Sequence, residues 1–179
     1  MKVLLFLGYS GSGKTTALTA IAKGIVRRRL GKVGTLKHIH HDPNFTIDTK
    51  GKDTWLHAKA GASVVISIAP RELTIIKKEP GAESMSFDQI LAIFRRDKVD
   101  YVLVEGLYRK FSMRRGVSKI ICASSEKQAL DLLKEHGQRN VVCITGKVAD
   151  SLRVREIVGV PALRITSKKD LERILDKLQ

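Results

Sequence analysis

With 179 residues, 43% of them hydrophobic, the chain is long enough to bury a core and too apolar to be disordered over most of its length. Val3-Leu4-Leu5-Phe6-Leu7 is too short for a secretory leader, and no run approaches the roughly twenty apolar residues that span a bilayer, so a cytoplasmic protein is expected. Lys and Arg total 33 against 18 acids, a net charge of +15 that attracts polyanions such as nucleic acid, an acidic protein or phosphorylated small molecules. Aromatic residues make up only 5%, and no basic run alternates with them, which argues against a nucleic-acid partner.

Short apolar runs alternate with amphipathic segments, the pattern of a parallel sheet covered by helices. Val3–Leu7 reads as a strand buried on both faces. Thr15–Leu30 has helical spacing at Leu18, Ile21, Ala22, Ile25 and Val26, with Gly31 as its stop. Val33–Leu36 is a second strand, followed by a polar stretch without a clear period. Asp53 is placed to cap a short helix through Ala60. Ser63–Ala69 and Glu72–Lys77 flank Pro70-Arg71 and predict an antiparallel hairpin. Ser86–Arg96 is helical, and Tyr101–Val104 is another buried strand. Strands are expected at Val117–Ala123, Val141–Ile144 and Ala162–Ile165, and helices at Glu126–Glu135 and Lys168–Leu178. No linker divides the chain, so one α/β domain is expected, with a mostly parallel twisted sheet and helices on both faces. Cys122 and Cys143 fall within apolar strands and are expected to be buried thiols.

Gly8-Tyr9-Ser10-Gly11-Ser12-Gly13-Lys14-Thr15 matches G-x-x-x-x-G-K-[ST] at every fixed position, between a strand and a helix. Gly11 and Gly13 permit backbone angles closed to other residues, so that successive N–H groups form an anion nest at the positive end of the helix. Lys14 is placed to reach the β- and γ-phosphates as a point charge, and the Thr15 hydroxyl to ligate Mg²⁺. Gly8, Ser10 to Thr15 and Thr16 form the candidate nucleotide-binding set. Glu105, which follows the strand Tyr101–Val104, is the acid expected to hold the metal and, with Lys14, to act catalytically. His38-Ile39-His40-His41-Asp42 leaves the second strand where a segment sensing the γ-phosphate would lie. Thr145 and Lys147, after a later strand, are candidates for contact with the base.

Three ordered motifs resemble the MobB family, molybdopterin-guanine dinucleotide biosynthesis protein B. They are the phosphate loop, the segment Thr35-Leu36-Lys37-His38-Ile39-His40-His41-Asp42 continuing through Asp48, Gly51, Asp53, Thr54 and Ala60-Gly61-Ala62, and the strand ending at Glu105-Gly106. The resemblance implies a P-loop GTP-binding protein of molybdenum-cofactor synthesis, a weak Mg²⁺-dependent GTPase and a homodimer. It also implies a partner, either a MobA-type nucleotidyltransferase or a molybdoenzyme-maturation protein. It adds Asp48 to Thr15 and Glu105 as a metal ligand, and makes His38, His40, His41, Asp42 and Asp53 switch-like residues. The chain departs from the family at Tyr9, where many relatives in the wider class carry a second lysine. It departs again at Glu105-Gly106-Leu107-Tyr108, where the family has Glu-Gly-Phe-Lys. Two rival readings follow from the residues. One is a P-loop small-molecule kinase with Arg109–Arg115 as a basic lid, and the other is a metal carrier using His38, His40 and His41.

Overall fold

In chain order the strands are β1 (Lys2–Leu7), β2 (Val33–Lys37), β3 (Val64–Ala69), β4 (Glu72–Lys77), β5 (Tyr101–Glu105), β6 (Val117–Cys122), β7 (Val141–Thr145), β8 (Glu156–Ile157) and β9 (Val160–Pro161). The helices are α1 (Lys14–Arg27), α2 (Asp53–Lys59), α3 (Phe87–Arg96), α4 (Tyr108–Phe111), α5 (Glu126–His136), α6 (Lys147–Asp150) and α7 (Lys168–Asp176). The computed structural model describes residues 1–39, 45–78, 81–151 and 155–179. The chain forms two compact units, Met1–His38 with Ser86–Gln179, and Ile39–Met85.

The first unit is built on a parallel five-stranded sheet in the order β2-β5-β1-β6-β7. Its central strands are apolar on both sides of the pleat. Leu4, Phe6, Leu103 and Ile120 pack with Ala17, Ile21 and Ile25 of α1 and with Ile174 and Leu175 of α7. The residues that alternate with them, Leu5, Leu7, Val102, Val104 and Ile121, are fully buried as well. The sheet is therefore covered on both faces, as continuous apolar strands require. The parallel sheet, its flanking helices and the antiparallel hairpin all agree with expectation. Cys122 and Cys143 are buried free thiols.

Element ends differ where local chemistry decides them. Helix α1 stops at Arg27 rather than running to Leu30, because Arg29 takes a left-handed conformation at φ +53° before Gly31 is reached. Helix α3 starts on a capping box: Gln89 N–H donates to Ser86 Oγ at 3.2 Å, and Ser86 N–H to Gln89 Oε1 at 2.7 Å. The strand expected at Ala162–Ile165 does not form. Ala162 makes one parallel bridge to Ile144, and Pro161 before it has no N–H to extend a ladder. Arg164 instead donates its N–H to Asp170 Oδ2 at 3.1 Å, which commits it to the start of α7.

In the second unit β3 and β4 pair in antiparallel register, joining Ile66 with Ile75 and Ile68 with Leu73. Asp53 is the first residue of α2, whereas the cap position belongs to Lys52. Among the described residues, no helix is long and apolar enough to cross a membrane.

Burial predicts the cost of truncation. Ile21 is 0% exposed and Ile93 is 55% exposed. Ile21→Ala is expected to cost about 2–5 kcal/mol in denaturant unfolding, and Ile93→Ala no more than about 0.5 kcal/mol. Equal costs would contradict this core.

Candidate functional site

Strand β1 ends at Leu7, and the chain turns over Gly8–Gly13 into the 14-residue helix α1. Gly13 occupies the N-cap at φ +89° and Gly11 lies at φ +72°, both left-handed. A Cβ on either would meet nothing within 4 Å, so that side of the loop is open. Gly8 is confined instead: a Cβ there would lie 2.4 Å from Cys122 O and from Ser12 Oγ. Ser12 is buried and its Oγ has no hydrogen-bond partner among the described residues. Its side chain therefore points beneath the loop, leaving only its backbone to offer a phosphate. Ser10, Thr15 and Thr16 are exposed.

Lys14 folds back over the loop, donating from Nζ to Gly8 O at 3.0 Å and Tyr9 O at 2.7 Å. Below it lies Glu105, only 6% exposed. Strand register places it there, since Glu105 sits opposite Phe6 on one side and Lys37 on the other. Thr15 donates its hydroxyl to Glu105 Oε2 at 3.1 Å, and Lys37 Nζ forms an ion pair with Oε1. A hydroxyl and a carboxylate in contact, beside open loop amides at a helix N-terminus, are the all-oxygen donors that suit Mg²⁺ and a polyphosphate.

Residues after Glu105 brace the loop from the side. Gly106 is at φ +98°, and a Cβ there would lie 2.6 Å from His38 Cβ. Leu107 is also left-handed, at φ +52°, and turns the chain into α4. Tyr108 then donates its hydroxyl to Gly8 O at 3.2 Å. Burial pushes its phenol up to about 12, with Glu105 and Cys122 adding to the shift, so it stays a donor. Phe111 is fully buried and meets the Phe87 ring edge-on at 4.9 Å. The segment Arg109–Arg115 is thus pinned by Tyr108 and Phe111, which argues against the free lid of the kinase reading.

The structure brings together Gly8, Gly11, Gly13, Lys14, Thr15 and Glu105. His38 joins them through its backbone, donating N–H to Glu105 O at 2.9 Å. His40, His41 and Asp42 lie outside the described residues. Asp48 and Asp53 belong to the second unit. There Asp48 Oδ1 accepts from Thr49 N–H at 2.9 Å and from the Thr54 hydroxyl at 2.8 Å, a turn that leads into α2. Thr145 is 1% exposed and cannot present its side chain to a base, whereas Lys147 is exposed at the start of α6. Gly146 between them is locked against the loop, since a Cβ would lie 2.9 Å from Ser12 O. Sequence reasoning missed Lys37 and Tyr108 as members of the site. Lys37 stood in the sequence only as a member of the Thr35–Asp42 motif with no role of its own, and its meeting with Glu105 depends on strand order.

Fold and site together define a P-loop α/β protein. Residues 3–147 match the model of the family described as MobB, molybdopterin guanine dinucleotide synthesis protein B, and the chain belongs to that family. It is 39% identical over 99 residues to the molybdopterin-guanine dinucleotide biosynthesis adapter protein of Haemophilus influenzae, covering 55% of this chain and 53% of that protein. It is 32% identical over 104 residues to the adapter protein of the same name from Escherichia coli, covering 58% of each. The chain thus spans little more than half the length of these curated relatives. The crystal structure of Bacillus subtilis MobB superposes with a TM-score of 0.74 at 20% identity, covering 100% of this chain and 99% of that one, which is agreement in fold.

One titrating residue borders the site. His136 is 6% exposed, its ring 5.8 Å from that of Tyr108, with Glu135 and Lys119 beside it. Burial, opposed by Glu135 and reinforced by Lys119, lowers its proton affinity below the ordinary value of 6.5. The unfolded chain then binds the proton more tightly, so the stability His136 confers is complete above pH 6.5 and is lost as pH falls through its lower folded value. His136→Gln is expected to remove this component of the acid-side slope in thermal midpoint against pH. An unchanged slope would contradict it.

Proposed function

We propose that the protein is a GTP-binding adapter of molybdopterin-guanine dinucleotide biosynthesis, with slow Mg²⁺-dependent GTP hydrolysis. The observation that carries this reading is the contact between the Thr15 hydroxyl and the buried Glu105 carboxylate beneath an open glycine loop. Family membership supports the biosynthetic setting, and the names of the curated relatives support the adapter role.

In the proposed site the amides of Gly11 to Thr15 bind the phosphates, and Lys14 exchanges its two carbonyl partners for phosphate oxygens. Thr15 and Glu105 hold Mg²⁺, which supplies charge neutralisation across the phosphates. Lys147 is the candidate for contact with guanine. Slow turnover agrees with a Glu105 that is committed to Mg²⁺ in the nucleotide complex, leaving it ill placed as a base for water. Function in the cytoplasm, where the nucleotide is available, completes the reading. The partner proposed is a MobA-type nucleotidyltransferase or a molybdoenzyme-maturation protein.

A homodimer is part of the same proposal, and the β3–β4 hairpin supports it. Ile66 and Ile68 on β3 and their cross-strand partners Ile75 and Leu73 on β4 are all exposed, and Val64 extends the patch. A contiguous apolar face of this kind favours burial against a second copy.

Calorimetric titration tests the nucleotide site. Lys14→Ala is expected to reduce GTP affinity by at least about a hundredfold with the thermal midpoint of the ligand-free protein little changed. Wild-type protein that fails to bind GTP or GDP at millimolar concentration with Mg²⁺ would refute the reading. Light scattering tests the dimer. Ile68→Lys combined with Leu73→Lys is expected to halve the mass of a wild-type dimer, and a monomeric wild type would remove the hairpin proposal.

A further inference from the structure

Lys37 is, among the described residues, a strong electrostatic partner of the site that the phosphate-loop motif does not explain. Its ammonium pairs with Glu105 Oε1 while Thr15 holds Oε2. The two ends of this pair are unlike. The Glu105 side chain is 8% exposed and is fixed by a strand paired on both edges, whereas the Lys37 side chain is 54% exposed on the outermost strand. A carboxylate buried to that degree needs a counter-charge, and Lys37 supplies it in the ligand-free protein. The carboxylate cannot leave, but the lysine can, since it is a compact charge on a flexible four-carbon stem.

We propose that Lys37 is a specificity-determining residue, which releases Glu105 when a dication takes over its neutralisation and turns to the outermost phosphate of a nucleoside triphosphate. This rests on the nucleotide site proposed above and deepens it. Two cations at one carboxylate repel, so a dication held by Thr15 and Glu105 weakens the hold on Lys37. The outermost phosphate carries the highest charge of the polyphosphate, and Lys14 shares its single charge between that group and the one before it, so a further cation is drawn to the far end. A diphosphate lacks that last anion and leaves Lys37 without a gain. Lys37 therefore contributes to the difference in affinity between the two nucleotides rather than to binding in general. Its neighbour His38 joins the same strand end, donating its backbone N–H to Glu105 O at 2.9 Å.

The test is titration of GTP and of GDP, each with excess Mg²⁺, into wild-type, Lys37→Met and Lys37→Gln proteins, together with thermal midpoints without ligand. Lys37→Gln retains a hydrogen bond to Glu105 without the charge, so it serves if the methionine variant fails to fold. The expected result is a loss of GTP affinity of about tenfold or more, with GDP affinity changed less than about threefold. The ligand-free midpoint should fall more in Lys37→Met than in Lys37→Gln. Equal losses for both nucleotides would overturn the assignment by reducing Lys37 to general attraction, as would no loss for either. Wild-type protein that binds neither nucleotide would overturn the nucleotide site itself, and this proposal with it.

Discussion

The site depends on the register between three parallel strands. Glu105 lies opposite Phe6 of β1 and opposite Lys37 of β2, so the carboxylate is delivered between the strand that enters the phosphate loop and an edge strand carrying an ammonium. A slip of one residue in β5 would turn Glu105 to the other face and put an apolar side chain against Thr15. The buried faces forbid that slip. Leu103 packs toward α1 and α7, and Val102 and Val104 are buried on the opposite face, so displacing any of them would expose apolar area. The hydrophobic pattern of Tyr101–Val104 thus fixes where a polar residue acts.

Much of this was legible from local pattern. Val3–Leu7 could only be a buried strand, and a glycine-rich turn followed by helical spacing placed Lys14 and Thr15 at a helix N-terminus. Pro70-Arg71 between two β-rich runs identified the hairpin. Glu105 was readable because an acid closing an apolar strand stands at the C-terminal end of the sheet, where the loop after β1 also lies. What escaped was non-local. The insertion of β5 between β1 and β2 is a property of topology, and without it Lys37 and Glu105 are 68 residues apart in sequence with no reason to meet. Ala162–Ile165 misled for a different reason: its apolar residues serve the core, but Pro161 and the N-terminal turn of α7 take the backbone out of the ladder. Thr145 follows an apolar run and reads as a candidate for contact with the base, but packing conceals its side chain.

The basic excess is distributed in a way that separates structural from available charge. Lys119 is buried and its Nζ donates at 2.7 Å to His136 O and to Gly137 O, so it satisfies carbonyls at the end of α5. Burial lowers its proton affinity. Arg27 and Arg28 pair with Glu172, and Arg28 also with Asp176, tying α1 to α7. Lys37 is paired too, but across a gradient of burial in which only the carboxylate is trapped. Arg114 stacks over the Phe87 ring at 5.3 Å and remains exposed. Net charge alone does not distinguish these roles, whereas the burial of each partner does.

The Gly8 carbonyl has two donors, so its hydrogen bonding does not rest on the loop's own lysine alone. It accepts from Lys14 Nζ at 3.0 Å and from the Tyr108 hydroxyl at 3.2 Å, filling two lone pairs. An ammonium that leaves a lone acceptor in a buried position would strand it, and the cost would oppose phosphate binding. Tyr108 removes that penalty, because its phenol remains protonated and is held by a backbone that turns sharply through Gly106 and Leu107. The left-handed conformation of Leu107, unfavourable for a branched side chain, is the strain that aims the tyrosine at Gly8. Position 108 therefore carries a neutral donor. That donor holds the Gly8 carbonyl independently of Lys14, which supports the exchange of partners proposed for the lysine.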